Sequence, residues 1–210
     1  LVEGDGARVQ ALAEALAAQV RARYGGDLAA SPDYTRIIHA GQYQRLVAHV
    51  DDARQRGLDV RELAGVPADA AELRLIAPTL ILQPGEDATV MGEEIFGPLL
   101  PIIAVRSLDQ AIERINATDR PLALYPFSHN RKAVERLLAD TVAGGITVND
   151  CLLHFAAEGL PFGGVGASGM GAYHGRAGFD AMSKQLPILW QSRVTATDLL
   201  KPPYRPLQRL

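Results

Sequence analysis

Glycine dominates the stretch from Leu160 to Gly175, which reads Leu-Pro-Phe-Gly-Gly-Val-Gly-Ala-Ser-Gly-Met-Gly-Ala-Tyr-His-Gly. Because glycine loses much backbone entropy on ordering, this cluster predicts a path that needs positive φ or a very close approach by another segment or a ligand. Backbone amides at a helix N-terminus bind anions, so a phosphate site is one interpretation. However, the stretch lacks the Lys-Ser or Lys-Thr pair of a P-loop and the acidic residue of a dinucleotide-binding unit. The alternative is a glycine-rich connection between the last strand of a sheet and the next helix.

A second group of candidate residues lies in Met91-Gly92-Glu93-Glu94-Ile95-Phe96-Gly97-Pro98. Together with Pro161-Phe162-Gly163-Gly164, Ser168-Gly169 and Asn149, it resembles the carboxyl half of an aldehyde dehydrogenase. Three further segments resemble the class 3 and coniferyl aldehyde branch of that family: residues 121–130, residues 148–155 and residues 169–175. These motifs follow the order of the family from about Leu1 to about Trp190.

The chemistry of this family needs a thiolate nucleophile, a donor for the oxyanion, a hydride acceptor and a base that activates water. The family provides the nucleophile in Gly-Gln-x-Cys, the base in Glu-Leu-Gly-Gly-Lys and the dinucleotide site in a Rossmann-like domain, and the sequence contains none of them. Leu1-Val2 resembles the strand just beyond the nucleophile, so we expect no catalytic residue here and an inactive isolated chain. Cys151 is expected to be a buried small hydrophobe without a chemical role.

The resemblance implies three cofactor-binding residues. Glu94 would accept hydrogen bonds from the nicotinamide ribose, a role that suits a carboxylate because it is acceptor-only when ionised. Glu93 is expected to be an exposed acidic turn residue. Phe96 would pack against the nicotinamide ring and Leu122 would line its pocket, and the alternative for both is core packing. The implied cofactor is NAD or NADP, although without the cofactor domain we do not expect strong binding by this chain alone.

The resemblance also implies three substrate-binding residues. Phe162 would wall the aldehyde channel, with His154 and Phe155 just ahead of it. The alternative for His154 is a structural role, which is more common for a lone histidine. His174 is expected to be structural, bonding the glycine-rich loop to its surroundings. The substrate would be an aromatic aldehyde, such as coniferyl aldehyde, or a medium-chain aldehyde.

Hydrophobic periodicity predicts the elements that position these residues. Helices are predicted over about 7–24, 41–56, 107–115, 130–140 and 176–182. Strands are predicted within 73–83, 99–105, 122–127, 146–148 and 185–191. Strands alternate with helices between Leu99 and Val148, as is typical of a parallel sheet covered by helices. We therefore predict an α/β fold with helices on both faces and a C-terminal strand and tail.

We interpret residues 1–191 as part of a catalytic domain of the aldehyde dehydrogenase type, with the cofactor domain mostly absent. Residues 192–210 would form a tail that contacts a second copy in a homodimer, since segments near this end pair with a partner subunit in the family; the alternative is a structureless tail. Apolar surface uncovered by the missing domain predicts self-association. The alternative function is a non-catalytic structural or oligomerisation module with the same fold.

Composition excludes several classes of protein. The chain has 210 residues, 48% hydrophobic and 21% charged, so it can bury a core and is not a disordered segment. A net charge of −3 does not indicate a basic surface for binding nucleic acid or an anionic membrane. Without a membrane-length apolar run or a signal peptide pattern, we expect a cytoplasmic protein. One cysteine excludes an internal disulfide framework, and five scattered histidines do not match a structural zinc site.

Overall fold

A computed structural model describes residues 1–194, 196, 197 and 202 of the chain. These residues form two compact units. The first unit comprises Leu1–Arg120 and Pro126–Val142, and the second comprises Pro121–Tyr125 and the chain from Ala143 onward. Both units combine helices with short parallel strands, which confirms the predicted α/β class.

The first unit contains five strands and six helices. Its strands are β1 (Val2–Glu3), β2 (Asp59–Glu62), β3 (Thr79–Leu82), β4 (Leu99–Ile102) and β5 (Ala104–Val105). Its helices are α1 (Gly6–Tyr24), α2 (Ala40–Gln55), α3 (Ala70–Leu73), α4 (Thr89–Gly92), α5 (Leu108–Ala117) and α6 (Arg131–Asp140). In the second unit, β6 (Ala123–Leu124) pairs in parallel with β7 (Gly145–Ile146), and the helices are α7 (Leu153–Ala156) and α8 (Gly175–Met182).

The core of the first unit is organised around β3, which pairs antiparallel with β2 and parallel with β4. All four residues of β3 are buried, as expected for a central strand covered on both faces. Because side chains alternate along a strand, Leu80 packs with Val9 of α1 whereas Ile81 packs with Ala53 of α2. The helices on both faces of this sheet therefore confirm the prediction.

Side-chain caps fix where the long helices begin. Asp5 Oδ1 accepts from the Arg8 amide at 3.2 Å and starts α1, which ends at Gly25 with a φ of 75°. In the same way, Ser107 caps α5, Asn130 caps α6 and the Nδ1 atom of His39 caps α2. Polar caps and a terminal glycine are visible in a sequence, which is why the predicted helices agree with the observed ones within one or two residues.

Four predicted strands have different bounds in the structure. The strand predicted within 73–83 begins only at Thr79, because the preceding segment forms α3 and turns at Arg74 with a φ of 51°. The strand predicted over 99–105 is two strands that pair with different partners, β4 with β3 and β5 with β1. The strands predicted over 122–127 and 146–148 are shorter, as β6 and β7 have two residues each. They pair with each other and not with β4 or β5, so the predicted alternation between Leu99 and Val148 does not form one parallel sheet.

The predicted C-terminal strand over Gln185 to Gln191 is wrong. No strand in the described part of the chain pairs with this segment, and Pro187 lacks an amide proton for a ladder. The side chains of Leu189 and Trp190 are 94% and 90% exposed. An apolar run forms a strand only where another edge satisfies its backbone groups, and no described strand pairs with this segment.

The tail is only partly described. Residues 195, 198–201 and 203–210 lie outside the described residues, so the predicted contact between the tail and a second copy stays a prediction. Among the helices of the described chain, none combines the length and apolar character needed to cross a membrane.

Candidate functional site

The first candidate site is the loop of residues 93–97, here called the acidic loop, which connects α4 to β4 in the first unit. Side chains of α2 bind three successive carbonyl groups of this loop. Arg45 donates to the carbonyl of Glu94 at 3.0 Å and to that of Ile95, and Gln42 donates to the carbonyl of Phe96 at 2.9 Å. The backbone of the acidic loop is therefore fixed by a neighbouring helix.

The two glutamates of the acidic loop have different surroundings. Glu93 Oε1 lies 3.2 Å from Arg45 Nη1 and 3.0 Å from His49 Nε2. The Glu94 side chain is exposed, and its carboxylate makes no hydrogen bond or ion pair with any residue in the described chain. Glu93 is half exposed but paired, so of the two carboxylates that of Glu94 is the one without a protein partner in the described chain.

Phe96 has an unusual backbone conformation. Its φ of 45° lies in a region that residues other than glycine, asparagine and aspartate seldom adopt, and residues in such conformations concentrate at functional sites. Its side chain is 76% exposed, so the alternative of core packing is wrong for Phe96. The next residue, Gly97, is packed against α2, since a Cβ atom there would lie 2.5 Å from a methyl carbon of the fully buried Leu46.

The second candidate site is an aromatic cluster in the second unit. It brings together the three predicted substrate residues, with the ring centroids of Phe155 and Phe162 5.0 Å apart and those of His154 and Phe162 5.8 Å apart. The rings of Tyr173 and His174 also contact Phe162, with centroid distances of 5.6 and 6.0 Å. The offset and edge-to-face geometries are those that aromatic rings prefer.

His154 lies inside the cluster, with 6% of its surface exposed. The Thr147 hydroxyl contacts its ring nitrogen Nδ1 at 2.9 Å and accepts from its backbone amide at 3.1 Å. A side chain on Gly145 would strike the ring, since a Cβ atom there would lie 2.3 Å from Cδ2. His154 is therefore a buried, oriented residue, and its predicted contact with substrate stays a prediction.

Replacing Thr147 with valine is expected to lower the free energy of unfolding by about 1–3 kcal/mol, the usual cost of leaving a buried polar group unpaired. The His154 Nε2 atom already lacks a hydrogen-bond partner in the described chain, so loss of the Thr147 contact would leave the ring without any. Urea unfolding measures the change. Thr147→Ser keeps the hydroxyl and should retain most of the stability; equal losses in both variants would contradict this role of the hydroxyl.

The glycine-rich stretch is a compact hairpin. Phe162 and Tyr173 exchange two backbone hydrogen bonds of 2.9 Å, and the hairpin between them turns back tightly. A Cβ atom on Gly163 would lie 2.0 Å from the carbonyl oxygen of Gly171, and one on Gly164 would lie 2.0 Å from that of Ser168. These two glycines therefore serve close backbone packing, which favours the interpretation of this stretch as a connection to α8 over that of a phosphate site.

The structure also places three other residues that the sequence analysis singled out. Cys151 is exposed rather than buried, because it lies in the turn that precedes α7. Leu122 is 41% exposed at the start of β6, so it is not a core residue of the second unit. The His174 ring contacts the rings of Phe162 and Tyr173 on the hairpin, but its buried Nδ1 atom makes no hydrogen bond within the described chain, so the expected bonding of the loop is not made by this atom.

Sequence reasoning missed Gln42, Arg45, His49 and Thr147. The first three follow one another at intervals of three and four residues, so they share one face of α2, and this polar face was a detectable signal. Thr147 has no such periodicity, because it meets His154 only through the turn between β7 and α7.

The chain matches known proteins over most of its length. The model of the aldehyde dehydrogenase family matches residues 5–186. The protein named "Probable coniferyl aldehyde dehydrogenase" of Caulobacter vibrioides is 45% identical over 186 residues, which are 87% of this chain and 38% of that protein. Aldehyde dehydrogenase family 3 member A2 of Rattus norvegicus is 47% identical over 167 residues, which are 79% of this chain and 33% of that protein. The chain thus spans well under half the length of these relatives.

Solved structures show the same fold. A substrate-bound AldH of Staphylococcus aureus matches with a TM-score of 0.76 and 37% identity, over 90% of this chain and 42% of that one. An aldehyde dehydrogenase of Mycobacterium tuberculosis, complexed with NAD+, matches with a TM-score of 0.68 and 24% identity, over 80% of this chain and 34% of that one. The family model covers most of the chain, and the conclusion follows that this chain belongs to the aldehyde dehydrogenase family.

Proposed function

We propose that the chain is the carboxyl-terminal part of an NAD(P)-dependent aldehyde dehydrogenase that oxidises aldehydes to acids. The observation that carries this proposal is the acidic loop, in which Glu93 is paired and Glu94 presents an unpaired carboxylate to solvent. An ionised carboxylate accepts two hydrogen bonds and suits the adjacent hydroxyls of a ribose. The resemblance to the family also implies a homodimer.

The cofactor would be held by Glu94 at the ribose and by Phe96 at the nicotinamide, both on the acidic loop. The role of Leu122, which lies in the second unit, rests on the resemblance alone. The chemistry that such a cofactor supplies is acceptance of a hydride. The exposed ring of Phe96 offers a flat apolar surface, and its carbonyl is fixed by Gln42. The fixed backbone of the loop would thus orient both groups before the cofactor arrives, which lowers the entropy cost of binding.

The substrate would be an aromatic or medium-chain aldehyde. Phe155 and Phe162 present apolar rings, and Phe155 is 48% exposed. Because aromatic rings favour edge-to-face contact, this pair suits the ring of an aromatic aldehyde. The relative from Caulobacter vibrioides is named for coniferyl aldehyde, which agrees with that choice. His154, buried beneath Phe162, would act mainly by holding the wall in place.

A second candidate function is a structural or oligomerisation module without catalysis. The apolar segment from Leu186 to Trp190 favours it, since its large side chains are at least 68% exposed. Exposed patches of this kind mark interaction surfaces on soluble proteins.

The reading frame upstream of Leu1 tests the proposal against this alternative. We expect Gly-Gln-x-Cys a few residues before Leu1 and Glu-Leu-Gly-Gly-Lys further upstream. Given that arrangement, the purified 210-residue chain should form no NADH from NAD and coniferyl aldehyde, whereas the longer protein should form it. A start codon directly before Leu1, without those segments, would contradict the proposal and support the module.

A further inference from the structure

Gln42, in the first turn of α2, bonds both peptide groups that flank Phe96. Its Nε2 atom donates to the carbonyl of Ile95 at 3.3 Å and to the carbonyl of Phe96 at 2.9 Å. The first carbonyl belongs to the peptide group before Phe96 and the second to the peptide group after it. Since φ and ψ describe how these two planar groups are rotated about the Cα atom, a single side-chain amide fixes the backbone conformation of Phe96.

The conformation of Phe96 needs such a constraint. A φ of 45° is strained for a residue with a Cβ atom, and strain of this kind persists only where the surrounding structure imposes it. Packing of the ring does not impose it, because Phe96 is largely exposed. The constraint therefore acts on the backbone, where the two bonds from Gln42 lie.

Two further contacts with α2 support this arrangement. Arg45 Nε donates to Gln42 Oε1 at 3.1 Å. Because an arginine only donates, the Oε1 atom faces Arg45 and the Nε2 atom faces the two carbonyls, so the amide of Gln42 has one orientation. Beyond Phe96, Gly97 lies against the buried Leu46 with no room for a Cβ atom. The peptide group after Phe96 is therefore held at its carbonyl and at the next Cα atom.

The neighbouring residues of the acidic loop do not depend on Gln42 in the same way. The carbonyl of Glu94 accepts from Arg45 Nη1 at 3.0 Å. The carbonyl of Ile95 accepts from both Gln42 and Arg45, one donor for each of its two lone pairs. Loss of the Gln42 donor thus leaves residues 94 and 95 bound to α2 and releases the carbonyl of Phe96. That bond is exposed, so water can satisfy the carbonyl and the first unit should stay folded.

We propose that Gln42 is a positioning residue that holds Phe96 in its left-handed backbone conformation and thereby sets where the Phe96 ring stands. The consequence for catalysis rests on the proposed function, in which this ring lies against the nicotinamide. Because hydride transfer depends strongly on the placement of the reacting groups, Gln42 then governs the rate of that step. It does not govern the affinity for NAD, which the carboxylate of Glu94 provides at the ribose.

Nuclear magnetic resonance of the 15N-labelled 210-residue chain tests the positioning without any cofactor. A positive φ brings the amide and Hα protons of one residue close together, so the cross-peak between them should be strong for Phe96. Gln42→Met keeps the length of the side chain without its donor, and Gln42→Glu removes the donor but keeps an acceptor for Arg45. Both variants should lose the strong cross-peak. Gln44→Met is the matched control and should retain it, since the Gln44 side chain is exposed and makes no hydrogen bond in the described chain.

The amide signals of β3 show whether the first unit remains folded in these variants. A strong Phe96 cross-peak in a folded Gln42→Met or Gln42→Glu chain would overturn the proposal. If both variants lose the dispersed signals of β3, Gln42 stabilises the unit as a whole rather than the conformation of Phe96, which also overturns it.

Single-turnover kinetics of the longer protein test the consequence for catalysis. At saturating NAD and aldehyde, Gln42→Met should slow NADH formation by about 10-fold and change the Kd for NAD by less than about threefold, since a 1 Å misplacement can cost about 100-fold in rate. Gln44→Met should change neither. Weaker NAD binding with an unchanged rate would contradict the role in hydride transfer. An unchanged rate and Kd, together with a lost cross-peak in the cofactor-free chain, would confirm the positioning and contradict the proposed contact between Phe96 and the nicotinamide.

Discussion

Replacing Gly164 with alanine is expected to destabilise the glycine-rich hairpin by about 3 kcal/mol or more, at or above the upper end of the usual cost of overpacking. The new Cβ atom would lie 2.0 Å from the carbonyl oxygen and 2.3 Å from the carbonyl carbon of Ser168. Both are backbone atoms, so no side chain can rotate away. Relief requires the hairpin to open, and the contacts between Phe162 and Tyr173 then separate.

Urea unfolding and the 15N spectrum of the second unit measure this effect. Gly159→Ala is the matched control, because a Cβ atom on Gly159 meets nothing within 4 Å and the residue has no positive φ. We expect Gly164→Ala to lose the dispersed signals of residues 160–175 and Gly159→Ala to retain them. Equal stability in the two variants would show that the hairpin does not depend on close backbone packing.

This contrast shows what a glycine pattern can and cannot reveal. The density of glycines correctly predicted a special backbone path, but two causes, a bound anion and a close neighbour, produce the same sequence pattern. Only the position of Ser168 relative to Gly164 separates them. That distance depends on the hairpin as a whole and has no counterpart in local periodicity.

The elements of the fold also differ in how well the sequence predicted them. The helices were predictable because their signals are local: apolar spacing, a cap such as Asp5 and a stop such as Gly25. The strands were less so, because a strand is defined by its partner. Residues 99–105 are one apolar run, yet β4 pairs with β3 and β5 with β1. The segment from Gln185 to Gln191 has the composition of a strand and no partner in the described chain.

In the acidic loop, the sequence indicated the candidate residues but not what holds them. The resemblance distinguished Glu94 from Glu93, and the structure gives a physical reason for that distinction in the pairing of Glu93 with Arg45 and His49. These partners lie more than 40 residues away along the chain, on α2. The polar face of α2 was present in the sequence, but nothing local connects it with the acidic loop.

The same distinction leads to the largest expected effect on activity. In the longer protein proposed to contain this chain, Glu94→Gln should raise the KM for NAD by about 10- to 100-fold. A hydrogen bond to a charged group contributes about 1.5–3 kcal/mol, and each 1.4 kcal/mol is a factor of ten. The amide keeps the size of the side chain but replaces one acceptor with a donor, which the ribose hydroxyls meet less well.

Glu93→Gln is the matched control, one residue away with the same change of chemistry. Glu93 is half exposed and its ion pair with Arg45 is partly solvated, so its loss should cost about 1 kcal/mol or less and change the KM by no more than about fivefold. Steady-state kinetics with varied NAD at saturating aldehyde compare the two variants. If Glu93→Gln weakens NAD binding as much as Glu94→Gln does, the unpaired carboxylate is not the ribose acceptor. The acidic loop would then act through its overall conformation, with Glu93 and its contacts on α2 as the determining residues.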